Sequence, residues 1–150
     1  MNIKRYIFSA VFVIYILTNI SDAHDVNVTP KEVVQTWIQI YGKEGDLERA
    51  VELTTLNFRD GRTKADWVFR YELILRQIRY EHLGGEVIDE LTKEGVSVIS
   101  LKSKINTAAG GAIQKELYHL KKVDGKWLID DIVVKELENW GPTTELNDAA

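Results

Sequence analysis

Residues Ile113 to Val134 read IQKELYHLKKVDGKWLIDDIVV, and this stretch decides the fold. Two runs that are typical of β-strands flank Asp124-Gly125, which is a strong signal for a two-residue hairpin turn. Strict alternation along the second run would place Ile129 and Ile132 on opposite faces of a sheet. We therefore predict an antiparallel pair of strands against which the rest of the chain packs.

The composition is that of one globular domain. The chain has 150 residues, of which 45% are hydrophobic and 28% are charged. Its formal net charge is -4, with acidic and basic residues interleaved, which argues against a nucleic-acid partner because such proteins carry a basic surface. Since there is no cysteine, no disulfide can form, and stability has to come from the hydrophobic core.

The N-terminus has the pattern of a secretory signal peptide. Lys4 and Arg5 precede a mostly apolar run from Tyr6 to Ile20, and Ser21-Asp22-Ala23 supplies small residues for cleavage. The alternative is an uncleaved membrane anchor, but the run is shorter than the roughly 20 residues that span a bilayer. We predict residues 1–23 as a signal peptide, no stable membrane anchor after cleavage, and a secreted or periplasmic protein.

Cleavage after Ala23 would make His24 the first residue of the mature chain. A terminal histidine offers an amine and an imidazole to a metal such as copper. His82 and His119 lie far from it in sequence and form no recognisable ligand spacing. We therefore predict no metal site, and no cofactor, because phosphate-loop, dinucleotide and nucleophile-elbow motifs are also missing from the sequence.

Three helices are predicted in the first half of the mature chain. Thr29-Pro30-Lys31-Glu32 is a helix start with a capping threonine, and its helix should run to about Tyr41. A second helix is expected over Leu47 to Thr54. A third should begin after Thr63 and end near His82, with apolar residues recurring every three or four positions.

Strands follow the helices. Glu86 to Leu91 and Val96 to Ile105 are rich in strand-forming residues, and the hairpin quoted above supplies two more strands. Helices grouped apart from consecutive strands indicate an α+β domain with an antiparallel sheet. We assign this domain to residues 24–142 and predict a disordered tail over residues 143–150.

Two stretches resemble the nuclear transport factor 2-like superfamily, and in particular its small secreted members of unknown activity. They are TPKEVVQTWIQIYGKEGDLERAVELT, over Thr29 to Thr54, and YHLKKVDGKWLIDD, over Tyr118 to Asp131. The resemblance implies a cone-shaped fold, with three N-terminal helices packed on a curved four-stranded antiparallel sheet and a pocket between them. It also implies a homodimer, because dimers are common in this superfamily and often use the sheet face.

The superfamily fold serves dehydratases, isomerases, ligand binders and protein-binding modules, so it does not by itself name a function. Its enzymes place acids and histidines inside the cone, and no such set matches this sequence residue by residue.

Four aromatic residues are candidates for the pocket: Trp37, Tyr41, Tyr71 and Trp127. Aromatic rings with polar tips suit a pocket for an apolar ligand. The alternative for each of them is simple packing in the core.

His119 with Asp130 is the candidate catalytic pair, and Asp131 is the alternative acid. Pairing Lys122 with Lys126 would bring His119 close to Asp130, where a carboxylate could orient the imidazole as a general base. Alternation puts the two acids on opposite faces, so at most one points inward. The alternative is an exposed cross-strand pair without chemistry.

The leading functional prediction is a secreted or periplasmic, non-catalytic module. It would bind a small apolar ligand or a protein partner through the cone pocket or the sheet face. One alternative is a hydrolyase- or isomerase-type enzyme that uses His119 and an adjacent carboxylate. Another is an inhibitor or an accessory subunit of an envelope complex.

Overall fold

The computed structural model of the protein describes residues 27–42 and 46–140. The predicted signal peptide, His24 and the predicted tail over residues 143–150 lie outside the described residues. Within them, no helix combines the length and the apolar character that crossing a membrane requires. The described chain contains three helices and a four-stranded antiparallel sheet, which confirms the α+β class.

The helices are α1 (Pro30–Ile40), α2 (Leu47–Val51) and α3 (Lys64–Ile78). Thr29 and Glu32 form a complete capping box at the start of α1, as the sequence predicts. The predicted extension of α3 to His82 is wrong. Arg79 adopts a left-handed conformation with φ 52°, which ends the helix, and the chain then enters the sheet.

The strands are β1 (Glu81–Lys93), β2 (Val96–Thr107), β3 (Gly110–Val123) and β4 (Lys126–Trp140), and they lie in the sheet in this order. Each neighbouring pair is antiparallel. Because α3 ends early, β1 begins five residues before the predicted Glu86. A bulge follows between His82 and Gly84, so Leu83 has no partner of its own on β2.

The turn at Asp124-Gly125 has positive φ at both residues, 49° and 80°, as a two-residue hairpin requires. Val123 therefore pairs with Lys126, and Lys122 pairs with Trp127. The predicted pairing of Lys122 with Lys126 is wrong by one residue, because the turn itself uses only two positions.

A second bulge, in the pairing of β3 with β4, changes which residues face the core. Leu120 pairs with Ile129 and His119 pairs with Asp131, so Asp130 is the extra residue. Ile129 is fully buried, and Ile132 packs against the same core. The prediction that these two isoleucines lie on opposite faces is wrong, because the bulge interrupts the alternation.

The segment after α2 is joined directly to β4. The amide of Thr55 donates to the carbonyl of Ile129 at 2.9 Å, and the amide of Ile129 donates to the carbonyl of Leu53 at 2.7 Å. The buried core contains residues from all three helices and from strands β2 to β4. Its largest side chains are those of Trp37, Trp67 and Tyr118. The helical segment is thereby fixed to one edge of the sheet.

Candidate functional site

A cavity of about 480 Å³ lies between the helices and the sheet, and we call it the helix–sheet cavity. Its volume falls within the range of roughly 300 to 1,000 Å³ that is usual for small-molecule sites. Aromatic side chains form much of its wall: Trp37, Tyr41, Phe58, Tyr71, Tyr80 and Tyr118. It opens to solvent, so a ligand can enter without unfolding of the core.

The aromatic wall is held by ring-to-ring contacts. Trp37 stacks on Tyr41 with centroids 4.5 Å apart, and Phe58 approaches Trp37 edge-on at 5.4 Å. Tyr71 stacks on the buried Trp67 at 4.4 Å. Such pairs contribute about 0.5–1.5 kcal/mol each beyond burial, so the contacts between the rings help to hold the wall in place.

Polar side chains occupy the inward positions of β3. Gln114, Glu116 and Tyr118 alternate along the strand, and all three are buried. The amide of Gln114 donates to Oε1 of Glu116 at 2.6 Å, and the hydroxyl of Tyr118 donates to Oε2 at 2.6 Å. Each carboxylate oxygen therefore has one donor from the same strand.

His82 lies next to this carboxylate. Its side chain is 2% exposed and that of Glu116 is 3% exposed, with Nε2 of His82 3.7 Å from Oε1 of Glu116. That distance is too long for a hydrogen bond, and Nε2 has no other partner among the described residues. The amide of Gly84 donates to Nδ1 at 3.2 Å, which directs the remaining ring nitrogen toward the carboxylate.

Opposing effects act on the pKa of Glu116. Burial raises this pKa, but His82, Tyr118 and Gln114 stabilise the charged form and hold the pKa below its ordinary value. The pKa of Tyr41 is raised by burial and by the charges of Tyr71 and Glu116. The cavity thus holds an ionised carboxylate at Glu116 and a neutral phenol at Tyr41 at physiological pH.

Three of the four predicted pocket residues are brought together by the fold. Trp37, Tyr41 and Tyr71 all line the helix–sheet cavity. Trp127 instead lines a different cavity of about 630 Å³ beside the hairpin turn, where Nζ of Lys122 lies 5.8 Å from the centre of its ring. Trp127 is the second residue of β4, next to the turn, whereas the residues of β4 that line the helix–sheet cavity, Asp131, Ile132 and Val134, lie further along the strand.

His119 and Asp130 have separate surroundings. His119 is half-buried between the inward-facing Tyr118 and Leu120, and it is not part of the helix–sheet cavity wall. Asp130 accepts hydrogen bonds from Thr55, at 2.8 Å, and from Asn57. It also pairs with Lys121 at 2.6 Å.

These contacts explain the charge state of Asp130. Burial raises its pKa, while Lys121, Thr55 and Asn57 outweigh this effect and lower the pKa. Its carboxylate oxygens therefore join the loop after α2 to the sheet, which is a structural role.

Neither His82 nor Glu116 is among the site residues that the sequence predicts. A signal for Glu116 was present, because polar residues at alternate positions, Gln114, Glu116 and Tyr118, occur in a strand that should face a core. His82 had no such signal, since it was assigned to the end of a helix. Across residues 27–42 and 46–140, no group of three or more potential ligands is arranged to hold a metal ion.

No protein-family model and no curated protein sequence matches this chain. Solved structures do match it. One is a nuclear transport factor 2-like protein of unknown function from Pseudomonas putida, with a TM-score of 0.54 and 9% identity, covering 75% of this chain and 93% of that one. Another is a protein of unknown function from Mycobacterium tuberculosis, with a TM-score of 0.54 and 18% identity, covering 86% and 75% respectively.

A Bdellovibrio bacteriovorus protein also matches, with a TM-score of 0.54 and 9% identity over 72% of this chain, and this chain spans only 39% of its length. At these identities the likenesses show a shared fold and carry no information about activity.

Proposed function

The chain has the fold of the nuclear transport factor 2-like superfamily, and from this premise we propose that it is a binding module for a small, largely apolar ligand. The ligand would occupy the helix–sheet cavity, inside the cone shape that the superfamily resemblance implies. The observation that carries the proposal is the set of aromatic rings around a cavity of ligand size, about 480 Å³.

The way the wall is built supports a preformed site. Trp37 is buried in the core, so its position does not depend on the ligand. Tyr41 and Tyr71 are only half-buried, and they present their remaining surface to the cavity. A preformed aromatic surface favours binding because little side-chain entropy is lost when the ligand enters.

Binding can be tested by calorimetric titration with three probes that share a naphthyl body: 2-(1-naphthyl)ethylamine, 2-(1-naphthyl)ethanol and 3-(1-naphthyl)propanoate. We expect at least one of them to bind with a dissociation constant below about 1 mM. Tyr71→Ala should weaken that binding about tenfold or more, whereas Trp127→Ala, outside this cavity, should not change it. If none of the three probes binds the wild-type protein, the proposal is overturned.

We also propose that the protein acts outside the cytoplasm, after removal of residues 1–23. The support for this is the basic, apolar and small-residue pattern that ends at Ala23. Sequencing the N-terminus of the protein isolated from its source cells should give His24 as the first residue. A mature protein that still begins at Met1 would contradict export by cleavage.

A further inference from the structure

The charged side chains that line the helix–sheet cavity, among the residues that the structure describes, are all acidic. They are Asp60, Glu116 and Asp131, of which Asp60 is paired with Arg62 at 3.3 Å. Asp60 and Asp131 are exposed, while Glu116 is buried deep in the cavity. A ligand that enters therefore meets a negative electrostatic potential. The interaction with this potential becomes stronger near the buried Glu116, because less water screens the charge there.

Within the part of the chain that the structure describes, Glu116 is a buried carboxylate without a hydrogen-bonded cation. Its two hydrogen-bond donors there, Gln114 and Tyr118, are both neutral, and the imidazole of His82 stays 3.7 Å away. A buried charge is costly to maintain unless an opposite charge reaches it. A carboxylate can accept about four hydrogen bonds, so two donors leave it free to accept more.

The aromatic wall adds a second attraction for positive charge. The faces of tryptophan and tyrosine rings attract ammonium groups, and the attraction is larger where water is excluded. Trp37, Tyr41 and Tyr71 share this cavity with Glu116. Aromatic rings and a carboxylate at one site, with no cationic side chain among the lining residues that the structure describes, are a combination that recognises an organic cation.

We propose that the helix–sheet cavity selects a cationic amine that carries an aromatic or apolar body. This inference rests on the proposed ligand-binding function and names its ligand class. The body lies against Trp37, Tyr41 and Tyr71, and the ammonium group donates to Glu116 as a hydrogen-bonded cation, which this carboxylate lacks among the described residues.

The three naphthyl probes test the inference, because they share a naphthylethyl body and differ only in the head group. At pH 7 the amine is a cation, the alcohol is neutral and the propanoate is an anion. On the wild-type protein we expect the amine to bind about tenfold more tightly than the alcohol. The anion should bind more weakly than either.

Two variants separate the cavity from general electrostatics. Glu116→Gln keeps the size of the side chain and removes its charge, so the preference for the amine over the alcohol should fall to about twofold or less. Glu48→Gln makes the same change of net charge on the exposed surface of α2, and the preference should persist. Equal losses of preference in both variants would overturn the inference, because long-range attraction would then explain it.

The ranking on the wild-type protein can overturn the inference even if Glu116→Gln fails to fold. If the alcohol binds as tightly as the amine, or more tightly, the inference fails while the ligand-binding function stands. If none of the three probes binds, the proposed function itself fails. An amine that binds more tightly than the alcohol, with its preference lost only in Glu116→Gln, supports both.

Discussion

The hydroxyl of Tyr118 donates a 2.6 Å hydrogen bond to Oε2 of Glu116, which lies two residues earlier on the same strand. Both side chains are buried on the inward face of β3. A hydrogen bond to an ionised group is stronger than one between neutral groups. The stability of the fold and the charge of the cavity therefore depend on the same contact.

Replacing Tyr118 with phenylalanine should lower the free energy of unfolding by about 1.5–3 kcal/mol, because the buried carboxylate loses a donor. Urea denaturation at pH 7 measures this change. Tyr71→Phe is the matched control, since it keeps the ring that stacks on Trp67 and should change stability by less than about 0.5 kcal/mol. Equal effects of the two substitutions would show that the Tyr118 hydroxyl contributes nothing special.

Asp130→Ala should destabilise the protein by about 1–2 kcal/mol at pH 7, because it removes the acceptor of the hydrogen bonds from Thr55 and Asn57. Asp131→Ala changes the adjacent, exposed carboxylate and should have little effect. Chemical denaturation of the three proteins provides the comparison.

The pH dependence of that difference has a definite sign. The pKa of Asp130 is lowered in the folded state, so its contribution is fully present above the unfolded value of about 4 and is lost as the pH falls through the folded pKa. The gap in unfolding free energy between wild type and Asp130→Ala should thus shrink on acidification below about pH 4. A gap that stays constant down to pH 2 would contradict the assignment.

Two glycines with positive φ should respond differently to alanine. Gly125 has φ 80° and open space around it, so Gly125→Ala should lower the free energy of unfolding only by the backbone strain, about 1 kcal/mol.

At Gly42, with φ 79°, a Cβ would lie 2.6 Å from Cδ1 of Tyr80. Gly42→Ala should therefore cost more, and by moving Tyr80 it should also weaken naphthyl-probe binding, which Gly125→Ala should leave intact. Urea denaturation and calorimetric titration measure the two effects, and similar losses for both variants would count against the described contact.

Trp37→Ala should be among the most damaging single substitutions, at about 3–5 kcal/mol, because it leaves a large void in the core. Trp127→Ala is the comparison, since this ring is half-buried beside the hairpin turn. Its cost should be clearly smaller in the same thermal or urea denaturation experiment. If Trp127→Ala were as harmful as Trp37→Ala, the hairpin tryptophan would have a larger part in the core than its exposure indicates.

The sequence was most informative where local chemistry determines structure. The capping box at Thr29 and the turn at Asp124-Gly125 could be predicted because each depends on residues close together in the chain. The four strands could be ordered because they follow one another through short turns.

Two features that determine which residues face the core and the site could not be predicted from the sequence: the bulge in β4 and the early end of α3. The extra residue at Asp130 brings Ile129 and Ile132 into one core, against strict alternation. The early end of α3 moves His82 from a predicted helix into a strand, where it lies beside Glu116. Both outcomes depend on tertiary packing, which a single sequence does not express.

The bulge in β1 determines whether His82 or Leu83 faces the interior at this point of the strand. In the observed register His82 pairs with Ile105, and Leu83 has no partner on β2. A continuous ladder running back from Gly84 would instead seat Leu83 opposite Ile105 and turn His82 outward, because a slip of one residue reverses the faces of a strand. Glu116 would then have an aliphatic neighbour in place of an imidazole, so one irregular step in the hydrogen-bonding pattern determines the polarity around the carboxylate.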